Sequence, residues 1–374
     1  MNQTHAATPQ YERCMVMAGG GFRFGIYLGM YDALCQAGRA PDVLLASCGG
    51  ALAAASIALL PDPQQRREWL SSPAMYDFWC ALRATRHAVL AGTLLRALRR
   101  KLSVRRAPII PDLYHDYLFD LPPSLPFPAA SAGRAQSAAS GPDIAILGGR
   151  LLFSPADVGQ PRGQRKLYEQ TVFCGPRVTA LLDGMASPLS DPRWGEHAIA
   201  ATLRCTDAVP LAVAARLSIA DMFYFRCQSW GGHDYLGGVL DLFPVEIAAR
   251  LGREQVLEFK EAFDQTFAIP AWRAVLGVDG NARLRHANGV PAALRIDASD
   301  VSLTLARQQL QQRLDWRRNR IELQMPPDYA TFVRYLDDQW RYGYERALEA
   351  VQRPEQAAPA IRNATRHSRT QPPV

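Results

Sequence analysis

The residues best placed to do chemistry in this 374-residue chain are Ala46-Ser47-Cys48-Gly49-Gly50. The apolar run Val43-Leu44-Leu45 precedes them, and the small helix formers Ala51 to Ala55 follow. That is the grammar of a strand, a sharp turn and a helix. Small residues two before and two after the centre suit a turn whose central residue has strained backbone and presents a nucleophile. Here the nucleophile would be a thiol, where the commoner G-x-S-x-G elbow carries a hydroxyl. A helix N-terminus favours thiolate, so a lowered pKa is expected for Cys48. The alternative is that Cys48 is a small apolar filler in an ordinary strand–helix turn.

Two other stretches could serve such a nucleophile. Ala18 to Gly25 reads AGGGFRFG. Its consecutive glycines let backbone N–H groups approach a ligand, and at a helix start they form an anion or oxyanion site. The spacing does not fit G-x-x-x-x-G-K-[ST], so a phosphate-binding P-loop is excluded. Much later, His233-Asp234-Tyr235-Leu236-Gly237-Gly238-Val239 places a glycine pair after a short strand, a loop for close backbone approach. His233 and Asp234 are the acid/base candidates in it, since Cys–His pairs recur in catalysis. A surface role for both is the plainer alternative.

The elements that must position these residues follow from local patterning. Cys14 to Ala18 reads as a buried strand, Ile26 to Ala37 as a helix capped at Gly38, and Asp42 to Leu45 as a second strand. A helix then runs from Gly49 to about Leu60 and stops at Pro61-Asp62-Pro63. Strand, helix, strand, helix implies a βαβ unit and a parallel sheet. Further along, Asp143–Leu147 and Leu151–Phe153 read as a hairpin around Gly148-Gly149, and His197 to Arg204 reads as a helix. Short strands are expected at Met222–Phe225 and near Tyr235, and the chain from about Val245 to Val351 reads as largely helical.

Composition bounds the function classes. With 48% apolar and 21% charged residues the chain can bury a sizeable core, and its net charge of +7 suits an anionic partner. Eight Arg or Lys and no acid lie between Ala81 and Pro111, interleaved with Leu and Val. That basic segment, residues 83–106, could lie peripherally on an anionic membrane or be a solvated helix face. The seven cysteines are irregularly spaced without CxxC, which argues for reduced thiols and a cytoplasmic setting, with no disulfide framework or zinc site. No metal, cofactor or nucleic-acid partner is expected. Neither a signal peptide nor an apolar run of the roughly 18–20 residues needed for a membrane span is read.

Taken in order, Gly19-Gly20-Gly21-Phe22-Arg23, the elbow at Ala46–Gly50 and the distant Leu236-Gly237-Gly238-Val239 loop resemble the patatin-like phospholipases. The resemblance covers roughly residues 13–250. It implies a three-layer α/β/α sandwich around a mostly parallel sheet, here with a helical C-terminal extension over 251–351. A flexible arm at 1–12, a mobile insertion at 121–142 and a disordered tail from 352 complete the expected organisation. The chemistry implied is acyl-ester hydrolysis or acyl transfer by a Ser–Asp dyad, without metal. Oxyanion donors are then expected at Gly20, Gly21 and Gly49 beside Gly19, with Arg23 positioning an anionic group.

The chain departs from that pattern at the catalytic motifs themselves. Cys48 stands where the family has Ser, Ala46 replaces the first Gly, and Phe24 replaces the Gly after the basic residue. Leu236 occupies the place of the dyad Asp and cannot accept a proton. A thiol tolerates that loss better than a hydroxyl, because its free pKa is only about 8.5. The expected function is therefore an acyl hydrolase or acyltransferase acting through Cys48 on lipid esters or acyl thioesters. The alternative is a pseudoenzyme that binds lipid or acyl groups in a regulatory or scaffolding role.

Overall fold

The computed structural model describes residues 8–129, 141–265 and 267–353. Half of the expected insertion, nearly all of the tail and the first part of the N-terminal arm therefore lie outside the described residues. The described end of the insertion is packed: the Phe127 ring stacks on Trp69 at 4.1 Å, and Arg216 Nε donates to the Pro122 carbonyl at 2.9 Å.

Strand β1 (Tyr11–Met17), helix α1 (Gly25–Gln36), strand β2 (Val43–Ala46) and helix α2 (Gly49–Leu59) form the first parallel unit, in the order the sequence implies. Two short helices follow, α3 (Pro63–Leu70) and α4 (Pro73–Cys80). Each starts with a proline, and Asp62 and Ser72 cap them through their side chains. Strand β3 (Arg83–Ala84), helix α5 (Leu90–Leu102) and strand β4 (Phe119–Asp120) precede the long β5 (Asp143–Leu151). Next come β6 (Tyr168–Cys174), β7 (Ile199–Thr206), β8 (Gln228–Trp230), β9 (His233–Leu236), β10 (Gly252–Phe259) and β11 (Leu294–Asp297). A hairpin, β12 (Gln311–Asp315) and β13 (Arg320–Gln324), leads to the C-terminal helix Tyr329–Gln352.

The central sheet runs β11-β10-β1-β2-β5-β6-β7, with β9 beside the far half of β5 and β8 beside β9. All neighbouring pairs from β11 to β5 are parallel, as is β6–β7; β5 pairs antiparallel with β6 and β9. Side chains alternate across this sheet, as the twofold period of a strand requires. Met15, Met17, Leu44, Ala46, Ile144 and Ile146 enter one core, which is closed by α1, α2 and the C-terminal helix. Cys14, Val16, Val43, Leu45, Ala145 and Leu147 enter the other. The protein is thus a three-layer α/β/α sandwich around a mostly parallel sheet.

Three sequence readings are corrected here. The expected hairpin around Gly148-Gly149 is instead one continuous strand, β5. A Cβ at Gly148 would stand 2.9 Å from the Phe173 ring, so this glycine admits a ring on the neighbouring strand and makes no turn. Ile199–Thr206 is a strand paired parallel with β6, although its residues carry no clear alternation. The segment after Leu251 ends in a 24-residue helix, Tyr329–Gln352, yet Gly252–Phe259 and Leu294–Asp297 also extend the sheet past β1.

The C-terminal helix lies directly across α1. A Cβ at Gly29 would come within 1.9 Å of the Trp340 carbonyl oxygen, and one at Gly343 within 2.0 Å of the Ile26 carbonyl oxygen. Only glycine at both points allows so close a crossing. The contact reaches the glycine loop as well. Buried Gln339 accepts from the Gly25 N–H at 3.2 Å and donates to the Phe22 carbonyl at 3.3 Å.

Candidate active site

Cys48 sits between β2 and α2 with φ 49° and ψ −121°, a left-handed conformation that a β-substituted residue adopts only under constraint. The constraint is close packing around the elbow. A Cβ at Gly50 would lie 2.0 Å from the Met17 carbonyl oxygen, and one at Gly238 would lie 2.8 Å from the Cys48 nitrogen. The Ser47 N–H donates to Met17 O, while its hydroxyl donates to the Asp241 carbonyl at 2.9 Å. Ser218 Oγ accepts from the Cys48 N–H at 3.0 Å and donates to the Leu147 carbonyl at 2.7 Å. Helix α2 behind the elbow is buried at every residue, so the turn is anchored to an apolar rod.

The thiol has a carboxyl partner, and it is Asp221. Cys48 Sγ stands 2.9 Å from Asp221 Oδ1. Asp221 follows the helix Leu211–Ser218 in a tight loop, where its carbonyl accepts from the Tyr224 and Phe225 N–H groups. Burial pushes the Asp221 carboxyl up to about 7, against the hydrogen bonds from Cys48 and the Val239 backbone. Burial also pushes the Cys48 thiol up, and the Asp221 charge pushes it further, while Lys260 pulls the other way. The lowering of the Cys48 pKa expected at a helix N-terminus is therefore corrected: desolvation and a neighbouring carboxylate raise it instead. Two acids at this separation oppose each other's ionisation.

The two residues singled out as replacement bases lie elsewhere. His233 and Asp234 begin β9 at the outer end of the β8–β9 hairpin, just after the turn at Gly231 and Gly232. His233 is exposed and pairs with Trp230, and Asp234 accepts from Ser229 Oγ at 2.5 Å. Neither lines the cavity over the thiol. Leu236 at the inner end of β9 packs in the core that also holds Cys48. Its neighbour Gly237 donates to the Ala220 carbonyl at 2.8 Å. The loop bearing Asp221 thus lies against the loop that lacks an acid. The only sequence signal for Asp221 was a lone acid between Ile219-Ala220 and Met222-Phe223, a stretch read in part as a strand.

The glycine loop closes the opposite side. A Cβ at Gly19 would meet Cys48 Cβ at 3.2 Å, and one at Gly49 would meet the Gly21 carbonyl at 2.9 Å, so backbone faces backbone across the thiol. Gly21 has φ 60°, and the Arg23 N–H and Nε both reach the Gly20 carbonyl. Lys260, at the end of β10, donates to Gly19 O at 2.5 Å and to Tyr27 Oη at 2.9 Å, and pairs with Glu258 at 3.2 Å. Burial lowers its pKa.

These groups surround a cavity of about 590 Å³. Phe22, Phe24, Leu52, Trp79, Ile219 and Leu310 supply apolar wall, and Arg23, Lys260, Glu261, Asp264, Cys48 and Asp221 also line it. Among the described residues, no group of three His, Cys, Asp or Glu side chains could hold a metal ion. Asp241, five residues beyond Leu236, is buried. It pairs with Arg283 at 3.1 Å and accepts from Gln170 at 3.2 Å beneath the elbow.

An α/β/α sandwich that presents a side chain from a strand–helix elbow opposite a glycine loop has the architecture of the lipid acyl hydrolases. Residues 15–249 match the family model for patatin-like phospholipase, and the chain belongs to that family. No curated protein matches it.

Proposed function

We propose that the protein is an acyl-transfer enzyme of this family in which Cys48 is the nucleophile and Asp221 its general base and acid. The single observation that carries the reading is the 2.9 Å contact between Sγ and Oδ1 in the floor of the apolar cavity. In the first step the sulfur attacks the acyl carbonyl carbon of a lipid ester or acyl thioester, and the thiol proton passes to Asp221. The C–S bond forms, the bond to the leaving alcohol or thiol breaks, and that group takes the proton back from Asp221. In the second step water or another acceptor attacks the enzyme thioester, giving its proton to Asp221, and the thiol is regenerated.

A carboxyl near pH 7 supplies the proton donor that an alkoxide leaving group needs, so ester substrates fit this pair as well as thioesters. The amides of Gly20, Gly21 and Gly49 are the oxyanion donors in this reading. Arg23 and Lys260 offer positive charge to an anionic group of the substrate. Peripheral contact between the basic segment 83–106 and an anionic membrane is proposed alongside this reading and does not depend on it.

A second reading has burial in its favour: Cys48 is only 4% exposed, which pushes its thiol pKa up. On that reading the cavity binds an acyl group without turnover. Intact-mass spectrometry after incubation with an acyl thioester and with a p-nitrophenyl ester separates the two. A mass increase of one acyl group on wild type that is absent in Cys48→Ala supports the enzyme. No adduct, together with equal turnover by both proteins, sinks it.

A further inference from the structure

Large apolar side chains exposed to solvent are gathered on one part of this molecule. Five belong to α5 and its flanks: Val89, Leu95, Leu98, Leu102 and Val104. Five more lie at or close in the chain to residues that line the cavity. Tyr224 lines it, Leu303 follows the lining residue Ser302, and Phe267 lies just past the lining residue Asp264. Leu314 and Trp316 extend from β12, whose Gln311 and Gln312 also line the cavity. Among the described residues only Ile109, Trp230 and Tyr329 fall elsewhere. The exposures are large, at 75% for Leu102, 83% for Leu303 and 70% for Trp316.

Helix α5 buries Leu90 and Ala97 on its inner face, yet Leu95, Leu98 and Leu102, spaced i, i+3, i+7, form an apolar stripe on its outer face. A helix of a water-facing surface would carry polar residues there. The stripe and this second group are physically joined. Asn319, in the β12–β13 turn, accepts the Leu90 N–H through its carbonyl and the Ala91 N–H through its side chain. Arg100 lies 3.7 Å over the Phe223 ring, next to Tyr224 at the mouth.

Positive charge predominates around these apolar tips, although Asp315 pairs with Arg318 and Glu322 lies opposite Arg313 on the hairpin. Arg99, Lys101 and Arg105 on the helix side and Arg313, Arg317 and Arg318 on the hairpin are exposed, and no acid occurs between residues 78 and 111. A second copy of the chain would set like charge against like. An anionic bilayer supplies the opposite charge in its headgroups and an apolar layer for the tips. No helix among the described residues is long and apolar enough to cross a membrane, so such contact is peripheral.

We propose that the outer face of α5 and the Trp316 hairpin dock together on an anionic lipid bilayer, with the cavity mouth against it. The Cys48 substrate then enters from the membrane without crossing water. The substrate part of this statement rests on the proposed acyl chemistry; the docking part does not.

Full-length Cys48→Ala protein, whose docking is independent of chemistry, is sedimented with phosphatidylcholine vesicles and with phosphatidylcholine–phosphatidylglycerol vesicles. Partition onto the mixed vesicles alone is expected, weakening with added salt. Trp316→Ser, Leu98→Glu/Leu102→Glu and Arg317→Glu/Arg318→Glu should each lose about fivefold or more in partition while unfolding at the wild-type temperature. Absence of vesicle binding, or variants that bind like the parent, overturns the proposal. So does a dimer in sedimentation equilibrium that Leu98→Glu/Leu102→Glu dissolves, since the stripe would then be a contact between copies.

Discussion

Cys48 Sγ and Asp221 Oδ1 stand 2.9 Å apart, from two loops separated by 173 positions in the chain. The thiol comes from the elbow after β2, and the carboxyl from the turn after the helix Leu211–Ser218. Across the contact between Ala220 and Gly237, the acid missing at Leu236 is supplied from the neighbouring loop. The loop that lacks an acid thus lies against the loop that brings one to the thiol.

The pair predicts which substitutions matter. Asp221→Asn should lower acyl-enzyme formation by about 10²–10⁴-fold, the usual worth of a positioned general base. His233→Ala and Asp234→Asn should stay within about twofold of wild type, since both lie on the outer hairpin. Rapid-quench measurement of adduct formation compares all three, and a large loss in His233→Ala with none in Asp221→Asn would reverse the assignment.

Cys48→Ser places a hydroxyl against the same carboxyl. Because a hydroxyl depends on a base far more than a thiol does, Cys48→Ser should retain measurable p-nitrophenyl ester hydrolysis. The double variant with Asp221→Asn should lose it to background. Steady-state assays of the two proteins side by side read this directly, and equal rates would argue against Asp221 as the base.

The pH dependence has a definite sign. Asp221 must be ionised to accept the thiol proton, so kcat/KM should rise with pH through about 7, and Asp221→Asn should lose that limb. Stability moves the other way. A carboxyl whose folded pKa lies above its ordinary value near 3.8 binds more protons folded than unfolded, so its contribution falls as pH rises from there to about 7. The melting temperature of Asp221→Asn relative to wild type should therefore climb across that interval, as calorimetry at pH 4.5 and pH 8 would show.

Beneath the elbow, Arg283 bonds to both Asp241 and Glu246, and the Arg283 and Asp241 side chains are almost fully buried. Arg283→Met leaves a buried carboxylate without its partner and should cost about 3–5 kcal/mol in urea unfolding. Because the Asp241 carbonyl holds Ser47, the same variant should also slow alkylation or acylation of Cys48 in the protein that remains folded.

Close packing at the elbow makes a further test of the backbone. Gly238→Ala would bring a methyl group within 2.8 Å of the Cys48 nitrogen and 2.6 Å of Ser218 Oγ. The loop must then shift, and a loss of about 1–3 kcal/mol is expected along with lowered adduct formation. Exposed Gly289 meets nothing within 4 Å, so Gly289→Ala is the matched control, expected within about 0.5 kcal/mol of wild type.

The elbow, the glycine loop and the first βαβ unit were legible in the sequence because each is fixed by neighbours in the chain. A strained turn needs small residues at set offsets, and a helix start needs its residues in order. Those constraints are local, so LLASCGG carried them unaided. Where the same local grammar misled, a distant contact was responsible. The glycines at 148 and 149 looked like a turn but make room for Phe173 and Leu240, and Ile199–Thr206 is a strand because β6 pairs with it. The identity of the thiol's partner lay beyond local pattern altogether. Asp221 is buried beside Cys48, whereas a tight hairpin turn holds His233 in solvent. The sequence determined that a thiol would be presented; only the packing of two remote loops decided which acid meets it.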